Sequence, residues 1–369
     1  MIRHLLLLWA LLLAALLWVG CPGDGSDDDV IGDDDDAGDD DVIGDDDYTP
    51  EDPCVDTPNG SALDGTVCAT DAGCRSSEIS TAAYLGYDLS GGQDFDGDGV
   101  DDVVAGAPGW DVVQDEGRAL LYTAASFSQP IFAPVAYVEG PDPLENAGFA
   151  VALTPDINGD GLGELLVGAR SDTTGGPAAG AVYLVHGRAL AGDTTNPANL
   201  AIDTAIRGAS DYSRAGTSVT ALPDVTGDGL AEIALGFELY TESGGWEFAD
   251  NGKVGVFYGH SGGLGSEVSV DDADVIVEGP LGSYHVGYAI DGAGDVTGDG
   301  LADLLIGAPD ANGSRGRLYI VTGPTLATAG TYDIEENAVM VEGEESGEGL
   351  GNSVVFLGDV DGDGIGDMA

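Results

Sequence analysis

Basic residues are scarce in this chain: 10 Lys and Arg stand against 67 Asp and Glu over 369 residues, a formal net charge of −57. The few cations never cluster, and a surface of this sign repels phosphate backbones, which excludes nucleic acid as a partner. Cysteine is equally scarce, and all four copies, Cys21, Cys54, Cys68 and Cys74, precede residue 75. The last three allow one disulfide and leave one thiol over, with the pairing open; a zinc site is the alternative, but C-x-x-C and a nearby histidine are both missing. Such usage suits an exported protein. Catalytic groupings are absent as well. His186, His260 and His285 stand in unmatched frames, without a G-x-S-x-G elbow or a carboxylate at metal-ligand spacing, and read as turn or surface histidines. The chain is therefore read as a non-enzyme. Helical periodicity is missing after residue 78, while glycine reaches 61 residues, as a turn-dense all-β chain requires.

What the chain does have is a recurring acidic loop. "DFDGDGVDD", Asp94 to Asp102, is followed at once by the apolar run "VVAGAP". Like charges packed this closely repel by roughly 1 kcal/mol per pair at 4 Å in water and by more near a protein surface, so the folded loop calls for a cation. Asp94, Asp96 and Asp98 stand at positions 1, 3 and 5, Gly99 makes the turn, Val100 offers a carbonyl at 7 and Asp102 closes at 9, a hard-oxygen set suited to Ca2+. An EF-hand is excluded, because position 12 is Ala105, inside a run that reads as a strand. Four further copies follow at spacings of 62, 68, 71 and 64 residues. Their ligand sets are Asp156, Asn158, Asp160, Leu162 and Glu164; Asp224, Thr226, Asp228, Leu230 and Glu232; Asp295, Thr297, Asp299, Leu301 and Asp303; and Asp359, Asp361, Asp363, Ile365 and Asp367. Paired carboxylates can hydrolyse glycosides. Strict recurrence argues instead for a structural role, since an active site normally occurs once.

A wider frame surrounds each loop. A glycine at 86, 148, 216, 287 and 351 precedes the first Asp by eight residues, and another follows it by twenty, at 106, 168, 236 and 307. Glycine-led runs such as "GRALLYT" and "GAVYLVHG" continue the unit, and "AYVEG", "TAIRG", "VIVEG" and "VMVEG" end it. Each unit is thus four short strands with the acidic loop between the first two. A lone four-stranded sheet leaves edges and a face uncovered, and radial repetition covers both. The fold class is an all-β β-propeller of four-stranded antiparallel blades.

These units resemble the FG-GAP repeats of the integrin alpha-subunit propeller, whose D-x-D-x-D-G-x-x-D calcium loop lies between a "Phe-Gly" and a "Gly-Ala-Pro" strand. The resemblance spans roughly residues 84 to 369. Gly-Ala-Pro is intact at 106–108 and 307–309, partial at Gly168-Ala169-Arg170 and lost after Gly236. The aromatic before the glycine is replaced, although Tyr87, Phe149 and Tyr288 follow it. These departures argue against ligand recognition of the integrin kind. The resemblance implies seven blades, so four blades and part of a fifth predict a C-terminally incomplete sequence whose terminal blades face each other with unpaired edges; a smaller ring completed near Glu78 to Ser80 is the alternative.

The beginning of the chain gives a location. Arg3 and His4 precede an apolar run from Leu5 to Gly20, and the run ends in "WVGC", which resembles a bacterial lipobox with Cys21 as lipid acceptor. An ordinary signal peptide is the other reading. Residues 1–20 are read as a lipoprotein-type signal peptide, 21–53 as an Asp-rich disordered tether, 54–77 as a short Cys-containing segment and 78–369 as the propeller. A calcium-binding repeat of the thrombospondin style is the alternative for the acidic tract. The expectation is a calcium-binding interaction or adhesion module, exported and lipid-anchored at a bacterial outer membrane or cell surface, with a protein or glycan ligand on one propeller face. The alternative is an accessory propeller of a secreted hydrolase.

Overall fold

The computed structural model describes residues 84–110, 116–127, 133–239, 251–280, 282 and 284–369. The stretches read from sequence as a signal peptide, a tether and a Cys-containing segment, with Cys21, Cys54, Cys68 and Cys74, lie outside the described residues, as do Glu78 to Ser80.

Strands β1 (Leu89–Gln93), β2 (Asp102–Ala107), β3 (Arg118–Tyr122) and β4 (Ala136–Glu139) form the first antiparallel blade. The second uses β5 (Ala147–Thr154), β6 (Glu164–Ala169) and β7 (Ala181–Val185), then passes through the short β8 (Ala198–Asn199) before its outer strand β9 (Thr204–Arg207). The third has β10 (Ala215–Leu222), β11 (Glu232–Phe237) and β12 (Lys253–Phe257), a detour through β13 (Glu267–Ser269), and β14 (Val275–Glu278). The fourth has β15 (Ile290–Gly294), β16 (Asp303–Ala308), β17 (Arg317–Val321), the detour β18 (Gly330–Asp333) and β19 (Ala338–Glu342). A fifth unit shows β20 (Phe356–Gly358) paired with β21 (Asp367–Met368).

The detours add something the repeat pattern did not announce. β8 pairs parallel with β4, β13 with β9, and β18 with β14, so the outer strand of each of the first three blades is covered by a piece of the next unit. This answers the edge problem locally, because the N–H and C=O groups of an outer strand find partners without another chain. Among the described residues β19 carries no such strand, and its Val339, Met340 and Val341 are exposed.

The blades read as continuous apolar runs because both of their faces are covered. In β6, Leu165 and Val167 enter the core shared with the first blade, whereas Leu166 enters the core shared with the third. In β11, Ile233 and Leu235 face back and Ala234 faces forward; in β16, Leu304 and Ile306 face back and Leu305 packs toward Val354 of the fifth unit. Strand alternation thus serves two cores instead of a core and solvent, and each buried Leu, Ile or Val contributes roughly 1.5–3 kcal/mol. No helix among the described residues is long and apolar enough to cross a membrane.

Candidate cation sites

All five acidic loops lie at one end of the strands, each between the first and second strand of its unit. Position 1 shapes the loop. Asp94 takes N–H bonds from Gly97 (2.7 Å) and Gly99 (2.9 Å), and Asp156, Asp224, Asp295 and Asp359 take the equivalent pair from their own loops. The donating glycines adopt left-handed φ of +78° to +92°, which only glycine reaches without strain. Burial works against the charge on Asp224 and Asp295, yet the N–H donors hold both carboxyls below the usual range.

Position 9 closes the loop from beneath. Asp102 is fully buried, and its Oδ2 accepts from the N–H of Phe95 (2.9 Å) and of Asp96 (3.3 Å). Glu164, Glu232, Asp303 and Asp367 hold the N–H of Ile157, Val225, Val296 and Val360 in the same way, at 2.8 to 3.0 Å. Desolvation pushes Asp102 up to about 7, Glu164 to about 8 and Glu232 to about 7, and it raises Asp303 as well. The other oxygen decides how each loop fits a cation. Asp102 Oδ1 and Glu232 Oε1 are buried without a partner, whereas Asp303 Oδ1 accepts from the Gly323 N–H at 2.9 Å.

The structure brings three carboxylates to within 4.8 Å of one another in three loops: Asp94, Asp96 and Asp102; Asp156, Asp160 and Glu164; and Asp359, Asp361 and Asp367. The third and fourth loops, with Thr226 and Thr297 at position 3, bring no such trio together among the described residues. Asp98 and Asp363 stand outside their trios and accept instead from the N–H of Val100 and Ile365, at 2.8 Å each. Asp160, Asp228 and Asp299 likewise accept from Leu162, Leu230 and Leu301, at 2.9 Å.

Two features escaped sequence reading. Position 2 is one: Phe95, Ile157 and Val225 are buried in the inter-blade cores, and Val296 packs against the core toward the fifth unit. Its signal was present, an apolar residue at that place in every copy, but a search for oxygen ligands passes over it. His186 is the other. Its Nδ1 lies 3.0 Å from Asn158 Nδ2 and 3.8 Å from Glu164 Oε1, and the same amide nitrogen reaches Glu164 Oε1 (2.6 Å) and Asp160 Oδ2 (3.1 Å). Reading it as a turn histidine missed this contact, because 28 residues of chain separate it from Asn158. His285 also finds a carboxylate, with Nδ1 2.6 Å from Asp310 Oδ2.

The loops are chained to one another by backbone bonds. The Asp94 carbonyl accepts from Gly163 N–H (3.0 Å), that of Asp156 from Ala231 (2.9 Å) and that of Asp295 from Gly366 (2.8 Å), joining position 1 of one loop to position 8 of the next.

With this geometry in view, comparison with known proteins is informative. The FG-GAP repeat model matches residues 85–122, 147–185 and 286–321, which are the first three strands of the first, second and fourth blades. Three of the units are thus similar to the FG-GAP repeat, and the fold is an integrin-alpha-like propeller. Integrin alpha-PS2 of Drosophila melanogaster is 30% identical over 241 residues, covering 63% of this chain and 16% of the relative. Integrin alpha-5 of Xenopus laevis is 28% identical over 277 residues, 72% of this chain and 24% of the relative. Human integrin alpha-IIb is 32% identical over 238 residues, 62% of this chain and 20% of the relative. The chain therefore spans about a sixth to a quarter of the length of these relatives.

Proposed function

We propose that this propeller is a calcium-stabilised interaction module held at a bacterial envelope by a lipid on Cys21. One observation carries the cation reading: Asp102 Oδ1 is fully buried and unpartnered beside Asp94 and Asp96. A buried ionised carboxylate oxygen without a hydrogen bond is costly, and a hard divalent cation is the partner that an all-oxygen set selects. In the first loop Asp94, Asp96 and Asp102 would hold it, with Asp98 and the Val100 carbonyl as further oxygen donors. A bound calcium ion supplies two positive charges. The residues do the rest: Asp94 keeps the loop folded through its glycine N–H donors, and Asp102 ties the ligand set to Phe95 and so to the core between blades.

Repetition of this loop around the blades supports a structural use of the cation, leaving the propeller faces for a protein or glycan ligand. The cation reading is tested by calorimetric titration with calcium beside thermal melts with and without chelator. Heat of binding together with a lower melting temperature on chelation is expected; no heat and an unchanged melt would make the loops plain acidic turns. The anchor is tested by mass spectrometry of the mature protein, where an unmodified N-terminus or cleavage away from Cys21 would refute it.

A further inference from the structure

A second cluster of charge lies at the strand ends remote from the acidic loops. Two residues past the second framework glycine the four units have Pro108, Arg170, Glu238 and Pro309, so the two blades that depart from Gly-Ala-Pro are neighbours and place opposite charges there. The obvious ion pair between them does not form. Glu238 is 3% exposed and accepts from Arg214 Nη1 at 2.9 Å. Arg170 instead stacks on Phe149, its Cζ 3.6 Å from the ring centroid, and Phe149 in turn meets the Tyr87 ring at 4.8 Å. Among the described residues no carboxylate makes an ion pair or hydrogen bond with Arg170, and Glu238 acts on it only at longer range.

From this geometry we propose that Arg170 is the receptor for a single carboxylate, the Asp or Glu side chain of a protein partner that docks on this face. Stacking occupies the flat side of the guanidinium and leaves its N–H edge, whose fork matches a carboxylate with two parallel hydrogen bonds. The Phe149 platform also holds the side chain in place, which reduces the ordering that binding would otherwise require. Burial, and then the repulsion of Arg214, press against the charge of Arg170 by more than nearby Glu238 supports it, so an arriving anion adds to a compensation that is only partial. Glu238, engaged by Arg214, makes no direct hydrogen bond to Arg170.

The surroundings select a protein partner with one acid over a polyanion. A net charge of −57 repels any chain of acidic groups at long range, while a lone carboxylate in a neutral context approaches at far smaller cost. Tyr87 and Tyr288, 54% and 37% exposed, add amphipathic area beside the guanidinium, and Tyr and Arg are among the residue types that most often carry binding energy at protein contacts. This inference rests on the interaction-module reading and specifies what that module grips.

The experiment uses the calcium-saturated protein and an array of short peptides that are uncharged apart from one central residue, Asp, Glu, Asn or Gln, each in many apolar and aromatic contexts. Binding is expected only for acidic centres, by about tenfold or more over their amides, and is lost in Arg170→Gln, a variant whose melting and chelator response should match wild type. Sodium acetate at the peptide concentration should not displace the peptides. Equal binding of the amides, unchanged binding by Arg170→Gln, no binding at all, or displacement by equimolar acetate would each overturn the proposal. The calcium calorimetry stands apart from these outcomes, so a failure here leaves the cation reading separately tested.

Discussion

Gly106 and Gly148 touch across the joint between the first two blades: a Cβ on Gly106 would run into the Gly148 carbonyl oxygen. Gly168 meets Gly216 in the same way, Gly236 meets Gly287, and Gly307 meets Gly351. Both framework glycines of the repeat are therefore two halves of one inter-blade contact, secured beside it by the parallel bridges Gly117 to Ala147, Gly180 to Ala215, Gly252 to Val286 and Gly316 to Leu350.

Gly106→Ala is expected to destabilise by about 1–3 kcal/mol through overpacking of backbone against backbone. Gly148→Ala should cost more, since Gly148 also holds a φ of +83°. Gly99→Ala is the control, with left-handed φ but open space around its Cβ, and should lose only the conformational part. Chemical denaturation of the three variants measures this; equal losses would dissociate the glycine frame from the joint.

Asp102→Asn and Asp98→Asn separate the two kinds of loop carboxylate. With calcium bound, Asp102→Asn should abolish the first site and lower the melting temperature, whereas Asp98→Asn, outside the converging trio, should weaken affinity and leave the site occupied at high calcium. Without calcium the order reverses: removing a buried unpartnered charge makes Asp102→Asn neutral or stabilising relative to wild type. Melts of both variants in calcium and in chelator check the crossover.

Phe95→Ala should cost about 3–5 kcal/mol, the usual loss for a buried Phe, because the ring is fully buried between the first two blades. Calcium affinity of the first loop should fall with it, since the Phe95 N–H is one of the two bonds that aim Asp102. Calorimetry showing unchanged first-loop affinity would dissociate the loop from the core.

A buried hydrogen-bond chain gives a pH signature. Tyr183 Oη lies 2.9 Å from both Glu145 Oε2 and Asp172 Oδ2, and Arg207 Nη1 lies 2.9 Å from the same Asp172 oxygen. Tyr183 Oη is thus the shared donor to two buried carboxyls, and because Arg207 neutralises Asp172, Glu145 is the one left to take up a proton. Desolvation, followed by the nearby Asp172, pushes Glu145 up to about 8 from its ordinary 4.5, against the lowering hydrogen bond of Tyr183. A raised folded pKa means the folded state holds the extra proton, so this stabilisation is complete below 4.5 and is lost as pH rises through about 8. In saturating calcium, Glu145→Gln should flatten the decline of stability over that window. An unchanged slope would remove Glu145 as its source.

The sequence by itself determined that the chain is all-β, where each four-strand unit starts, and that the acidic loops join first to second strands, because turn glycines, ligand spacing and short apolar runs are local signals. Tertiary structure alone decided what those signals are for. Whether Asp102 or Asp303 keeps an unpartnered oxygen depends on a backbone N–H brought in from a distant residue such as Gly323. The outer strands acquire β8, β13 and β18 from the following unit, although nothing in "AYVEG" or "TAIRG" announces a fifth partner. Arg170 reads in sequence as a lapse from Gly-Ala-Pro, yet in space it has an aromatic platform and a neighbour, Arg214, that claims its natural partner Glu238. These outcomes turn on register within and between blades, where residues some 20 to 70 positions apart meet, and local propensity carries no information about that meeting.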